Sequence, residues 1–220
     1  MKSDQKILLK EAKKYYNEMK FDLAIETLEK ITEPDLKNQL LLISNYDQLA
    51  LVTKDLSQKR DYQTKGICIG KKLFASHPKS LSLLLKIGHL YHHMAIEEPY
   101  YNHEAMGFYK RAITSSVRKS DKIESLNCIG NSHQRSGKLK LALKYYIQGY
   151  NLSQGKSIAI LYNLSFIYLK LGDCNKCLKY SNIYLKLTYR LPPTKMQQMF
   201  RNSVLKNVED AQIHLNSRSH

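Results

Sequence analysis

The stretch Ile123–Leu152, IESLNCIGNSHQRSGKLKLALKYYIQGYNL, is answered by Leu161–Leu187, LYNLSFIYLKLGDCNKCLKYSNIYLKL. The first carries Leu126, Ile129, Gly130, His133, Gly137, Ala142, Tyr146 and Gly149. The second carries Leu161, Leu164, Ser165, Tyr168, Gly172, Cys177, Ser181 and Tyr184 at matching places. Large residues recur three and four apart on either side of Gly137 and of Gly172, so each stretch predicts two helices joined by a turn. Gly137 and Gly172 lie 35 residues apart. A repeat of about 34 residues, each a helix pair unable to bury its apolar face alone, predicts a helical solenoid.

Outward from this core, residues 4–31 predict another hairpin, with helix from Asp4 to about Glu18, a turn at Met19–Lys20, and helix from Phe21 to Ile31. Pro34 in Thr32–Asp35 stops one element and restarts the next. Residues 36–77 form a degenerate copy, residues 79–117 a third, residues 121–152 a fourth and residues 157–188 a fifth. Asp121-x-x-Glu124 has the form of a capping box opening the fourth. From Ala95 to Ala105 the third copy takes a step of 10 residues where the others need 5, so its connecting loop is expected to be extended. After Arg190-Leu-Pro-Pro, an amphipathic stretch over about 194–215 (Met196, Met199, Phe200, Val204, Val208, Ala211, Leu215) predicts a helix that caps the last open face. Residues 1–215 thus form one all-α domain, and residues 216–220 a frayed tail. No strand-like alternation of useful length occurs.

These residues resemble the tetratricopeptide repeat family. That family places a small residue in the first helix of each pair, here Gly88 and Gly130, with Ser165 and Ala12 standing in elsewhere. An aromatic residue follows three later: Tyr15, Tyr91 and Tyr168, with His133 a departure. The second helix carries a small residue (Ala24, Ala105, Ala142, Cys177) and a bulky one four on (Leu28, Tyr109, Tyr146, with Ser181 a departure). The resemblance implies a right-handed superhelix of antiparallel helix pairs acting as a protein-binding scaffold, often within a multiprotein assembly.

Charge is unevenly distributed. The net charge is +16. Residues 1–80 hold 15 Lys/Arg against 11 Asp/Glu, whereas residues 105–208 hold 18 against 3. A field of this sign draws acidic ligands towards the C-terminal half; the same lysines also serve simply to keep a Tyr-rich chain in solution. No Gly-rich phosphate loop, nucleophile elbow or paired-acid constellation is present, and the reading is of a non-enzymatic protein without cofactor.

Some members of the family clamp the terminal carboxylate of a peptide with Lys and Asn, then Asn, then Lys and Arg, from successive first helices. Asn131 and Asn163 match the two Asn, Asn127 replaces the first Lys, and Lys195 and Arg201 are the nearest candidates for the last pair. Asn suits such a floor because its amide pairs with a peptide backbone at both ends. The expectation is an adaptor whose concave, basic C-terminal half takes an acidic or extended segment of a partner protein. The alternative, from another class, is a helical-repeat RNA binder using the basic, Tyr-rich surface of residues 105–208. Glu97, Glu98, Tyr100 and Tyr101, in the extended loop, are a candidate partner contact.

Cys174-x-x-Cys177 is half a zinc site, and Cys177 sits at a packing position, so both read as buried thiols. His89, His92 and His93 share a helix but lack a matching carboxylate ligand, and no metal is expected. Four cysteines without an apolar leader at the N-terminus, and no run near the ~20 apolar residues of a membrane span, point to the cytoplasm.

Overall fold

The computed structural model describes residues 3–116, 118–189 and 195–217, with the side chains of 3, 195 and 196 excepted. The Arg190–Pro193 break, residue 117 at the end of the third copy, residue 194 at the expected start of the cap, and residues 218–220 of the expected tail lie outside them. Eleven helices and no strand are present among the described residues.

They fall into two units. The first contains α1 (Ser3–Asn17), α2 (Phe21–Glu29), α3 (Leu36–Val52), α4 (Leu56–Ser76), α5 (Leu81–Met94) and α6 (Tyr101–Ser115). The second contains α7 (Lys119–Arg135), α8 (Leu139–Leu152), α9 (Ile158–Lys170), α10 (Cys174–Thr188) and α11 (Lys195–Asn216). Each odd-numbered helix packs on its successor as a pair, from α1 with α2 to α9 with α10. Within the units each second helix also meets the next first helix, and α11 lies against both α9 and α10.

Local chemistry sets the helix ends. Asp35, Asp55 and Asp173 accept from the backbone N–H of Asn38, Gln58 and Lys176 at 2.8, 2.7 and 3.1 Å, satisfying donors that the first turn leaves unpaired. Three pairs share one turn. Gly137 (φ +72°) and Gly172 (φ +76°) are left-handed, and Met19 (φ +60°) holds the same place between α1 and α2. The following residues, Lys138, Asp173 and Lys20, donate back to the carbonyls of His133, Tyr168 and Tyr15, closing the helix end in a Schellman arrangement.

Two kinds of close approach hold the pairs. Within a pair, a Cβ at Gly88 or Gly130 would run into the ring of Tyr109 or Tyr146, both fully buried. Between pairs, Gly70 and Gly149 let Ile87 and Ile160 of the next first helix press onto the second. The fifth copy replaces Gly and Tyr by Ser165 and Ser181, whose hydroxyls meet at 2.7 Å with no exposure. Asn207 of α11 donates to Ser165 Oγ at 3.1 Å and Cys177 Sγ lies 3.6 Å from the Asn207 carbonyl oxygen, so this polar junction keys the last helix onto its pair. His133, in an aromatic position, stacks on Tyr145 with ring centroids 5.3 Å apart.

One local expectation is corrected. The capping box does not form: α7 starts at Lys119, and Asp121, inside its first turn, accepts from Arg118 Nε at 2.7 Å. The third copy's loop is extended, with residues 95–100 joining α5 to α6 where residues 18–20, 53–55, 136–138 and 171–173 join the other pairs.

The glycine contacts generate a contrast. Gly130→Ala is expected to cost about 2 kcal/mol or more through collision with the Tyr146 ring. Gly107→Ala, in the open middle of α6 with nothing near its missing Cβ, is expected to stabilise by up to about 1 kcal/mol. Urea denaturation of the two variants measures both signs.

Candidate functional site

Asn127 and Asn131 lie on α7 one turn apart, and Asn163 lies on α9, which packs beside α7. The three amides meet. Asn163 Nδ2 donates to Asn127 Oδ1 at 2.8 Å and to Asn131 Oδ1 at 3.0 Å, so both of its protons are engaged within the cluster. Asn131 Oδ1 also lies 2.7 Å from the hydroxyl of Tyr146 on α8, which reaches Gln134 Oε1 at 2.9 Å. One O–H proton serves only one of these acceptors at a time. Burial pushes the Tyr146 phenol above its ordinary value, so it stays a donor.

This network fixes polarity. The oxygens of Asn127 and Asn131 are turned into the cluster, which leaves their NH2 groups as the outward donors. Asn163 is nearly buried, whereas Asn127 and Asn131 are half-buried. The face therefore offers N–H groups to acceptors such as peptide carbonyls or carboxylates.

The candidates on α11 stand differently. Arg201 donates to the carbonyl of Thr188, a C-terminal carbonyl of α10, and is thereby engaged in closing that helix. The backbone of Lys195 begins α11, and its side chain is not among those described. Neither brings a described charge to the Asn cluster.

The Glu97–Tyr101 segment folds onto its own unit. Lys59 Nζ pairs with Glu97 at 2.8 Å and Arg60 pairs with Glu98, both from α4. Tyr101 packs on Tyr91 with ring centroids 5.8 Å apart, and Tyr100, 64% exposed, stacks on Tyr101. The acids are thus held by cations, while one tyrosine ring remains available at the tip.

The remaining tyrosines mostly pack. Tyr146, Tyr168, Tyr180 and Tyr184 are buried; Tyr168 and Tyr180 stack in parallel, and Tyr162 meets Phe200 edge-on. Cys174 and Cys177 are buried, and burial raises the Cys177 thiol. Among the described residues no group of three or more His, Cys, Asp or Glu is placed to hold a metal ion.

Sequence reasoning missed two partners of the histidines. His93 Nδ1 lies 2.7 Å from Asp47 Oδ1 across α3 and α5, and His89 packs on Tyr109 with ring centroids 5.7 Å apart. Burial chiefly, with His93 and Lys86 nearby, lowers His89 to about 4 from 6.5, against the opposing pull of Asp47. A folded value below the unfolded one gives stability that is present above about 6.5 and is lost as pH falls towards 4. Acidification to about pH 5 is therefore expected to destabilise the first unit by roughly 1–2 kcal/mol. Thermal melts of wild type and His89→Phe at both pH values test this, the variant losing less.

No family model matches the chain, and no curated protein sequence matches it. Solved structures do. A thermophilic TPR protein from Thermus thermophilus superposes with a TM-score of 0.68 at 18% identity, over 91% of this chain and 98% of that one. PilW, a widely conserved type IV pilus biogenesis factor, superposes with a TM-score of 0.65 at 14% identity, over 97% and 91%. A MamA structure, MSR-1 C2, gives 0.57 at 12% identity, over 87% and 100%. At these identities the likeness is one of architecture, carried by helix pairs packed in series. The chain has the fold of the tetratricopeptide-repeat proteins.

Proposed function

We propose that the chain is a non-enzymatic adaptor that captures an extended, acidic segment of a partner protein on the α7–α9 face. The observation that carries this is the Asn163 amide, which donates to both Asn127 and Asn131 and so turns their N–H groups outward. Peptide carbonyls and carboxylates are the acceptors such a face suits. The sequence of the second unit adds the sign: 17 Lys/Arg against 5 Asp/Glu over residues 116–220. That field raises the capture rate of an acidic segment and makes it salt-sensitive.

A clamp for a terminal carboxylate gains less support. Asn127 supplies no charge where such a clamp has Lys, and Arg201 serves the end of α10. A main-chain grip, with acidic side chains of the segment among the surrounding lysines, is the better fit. The likeness to TPR-fold proteins is consistent with a scaffold, and the adaptor is read as one member of a larger complex. No helix among the described residues is long and apolar enough to cross a membrane. We place the protein in the cytoplasm because its four cysteines are unpaired.

RNA binding stays the rival outcome. It needs exposed rings on which bases stack; Tyr189 and Phe200 are exposed, whereas Tyr146, Tyr168, Tyr180 and Tyr184 are buried and do not provide them. The test is fluorescence anisotropy with a labelled Glu-rich peptide, its Gln-substituted counterpart and oligouridylate, in low and high salt. The Glu-rich peptide is expected to bind about tenfold tighter than the Gln version. Joint Asn131→Ala and Asn163→Ala replacement, with the fold checked by circular dichroism, is expected to weaken it a further tenfold or so. Oligouridylate binding that falls steeply with salt and ignores both replacements sinks the proposal in favour of RNA.

A further inference from the structure

A cleft of about 50 Å3 opens in the first unit between the start of α4 and the residues that follow α5. Leu56, Lys59, Arg60 and Gln63 of α4 form one wall, and Met94, Glu97 and Glu98 the other. The second wall is held by its own backbone. The N–H groups of Glu97 and Glu98 donate to the Met94 carbonyl at 3.1 and 3.0 Å, and that of Tyr101 donates to the Glu98 carbonyl at 3.1 Å. The cleft is thus formed before any ligand arrives.

Gln63 is its deeply buried polar group. The residue is 3% exposed, and its Nε2 has no hydrogen-bond partner. A buried amide donor left without an acceptor is costly, and one that lines a cleft suits an acceptor brought from outside. Charge decides which acceptor. Lys59 Nζ lies 2.8 Å from Glu97, and Arg60 pairs with Glu98, so the two cations and two anions of the cleft balance. A carboxylate entering here has to displace Glu97 or Glu98 from its cation, whereas an uncharged carbonyl does not.

The other surfaces narrow the choice. A primary carboxamide brings an oxygen for Gln63 Nε2 and an NH2 for a carboxylate oxygen of Glu97 or Glu98. Leu56, 63% exposed, and the buried Met94 offer apolar contact to the methylenes behind it. The volume admits a few heavy atoms and excludes an aromatic ring. Ile96 and Tyr100, exposed in the same loop, add apolar surface for the neighbouring residues of an extended segment.

We propose that this cleft is a pocket for the side-chain carboxamide of an Asn or Gln in a partner segment, with Gln63 as its donor. It lies wholly within the first unit and is neutral, whereas the α7–α9 face is read as a site for acidic residues. The pocket does not depend on that reading, and binding in it survives high salt.

The probes are three tripeptides, Leu-Gln-Leu, Leu-Met-Leu and Leu-Glu-Leu, each capped by acetyl and N-methylamide. They are titrated into the full chain in high salt and followed by backbone amide NMR shifts. Residues of α4 and residues 95–100 report this pocket, and residues of α7 and α9 report the Asn cluster, so the two readings fail separately. The Gln peptide is expected to shift α4 and residues 95–100, and to bind roughly tenfold tighter than the Met and Glu peptides. Gln63→Met, similar in size but apolar, is expected to abolish that preference. Without peptide it is expected to raise the melting temperature by a few degrees, because it removes an unpaired buried donor. Overturning results are equal binding of the Gln and Met peptides, tighter binding of the Glu peptide, or shifts absent or confined to α7 and α9. A Gln63→Met variant that melts lower than wild type, or that keeps the preference for Gln, overturns the proposal as well.

Discussion

The contact between Gly130 and the Tyr146 ring carries both the fold and the candidate site. Only a residue without Cβ lets α8 cross α7 closely enough for that ring to sit where a Cβ would be. Once there, the phenol points past Gly130 towards Asn131 and Gln134. The hydroxyl fixes Asn131, Asn131 helps fix Asn163, and Asn163 fixes Asn127. A packing requirement is thus passed, by three hydrogen bonds, into the direction in which two amides face outward. Buried polar networks of this kind specify one geometry because leaving any member unpaired is costly.

The same junction is varied along the chain without being lost. Gly88 and Tyr109 repeat it in the first unit, beside His89. Ala12 and Leu28 form a milder version inside the N-terminal core. Ser165 and Ser181 exchange ring volume for a buried hydrogen bond, and Asn207 of α11 completes it. The small partner and its bulky neighbour change together because the space between two crossing helices is fixed, and a core tolerates neither a void nor an extra group there.

Much of this is legible in the chain, and the failures have physical causes. The recurrence of Gly, aromatic and small residues predicts the helix pairs, since burial on one face imposes the 3.6 period directly. The capping box at Asp121 misleads because the same letters occur inside a first turn, where Arg118 claims the carboxylate. Arg201 reads in the sequence as an available cation, whereas Thr188 at the end of α10 offers it an unpaired carbonyl. Glu97 and Glu98 read as a candidate partner contact, and the structure adds Lys59 and Arg60, nearly 40 residues earlier, as their ion-pair partners. Each case concerns a polar group whose partner is remote or depends on where a helix starts, which no local pattern encodes.

By itself the sequence determined that this protein is built of paired helices, that Gly130, Gly88 and their equivalents lie where the pairs cross, and that positive charge gathers towards the C-terminal half. Those features follow from periodicity, residue size and counting, all of which are additive along the chain. Only the tertiary structure decided which polar atoms meet: the Asn163 amide with Asn127 and Asn131, Asp47 with His93, and Lys86 with Ser44. Hydrogen bonds are directional and act over about 3 Å. Their pairing across 30 to 50 residues is therefore set by the packing of helices, after the pattern that made those helices has done its part.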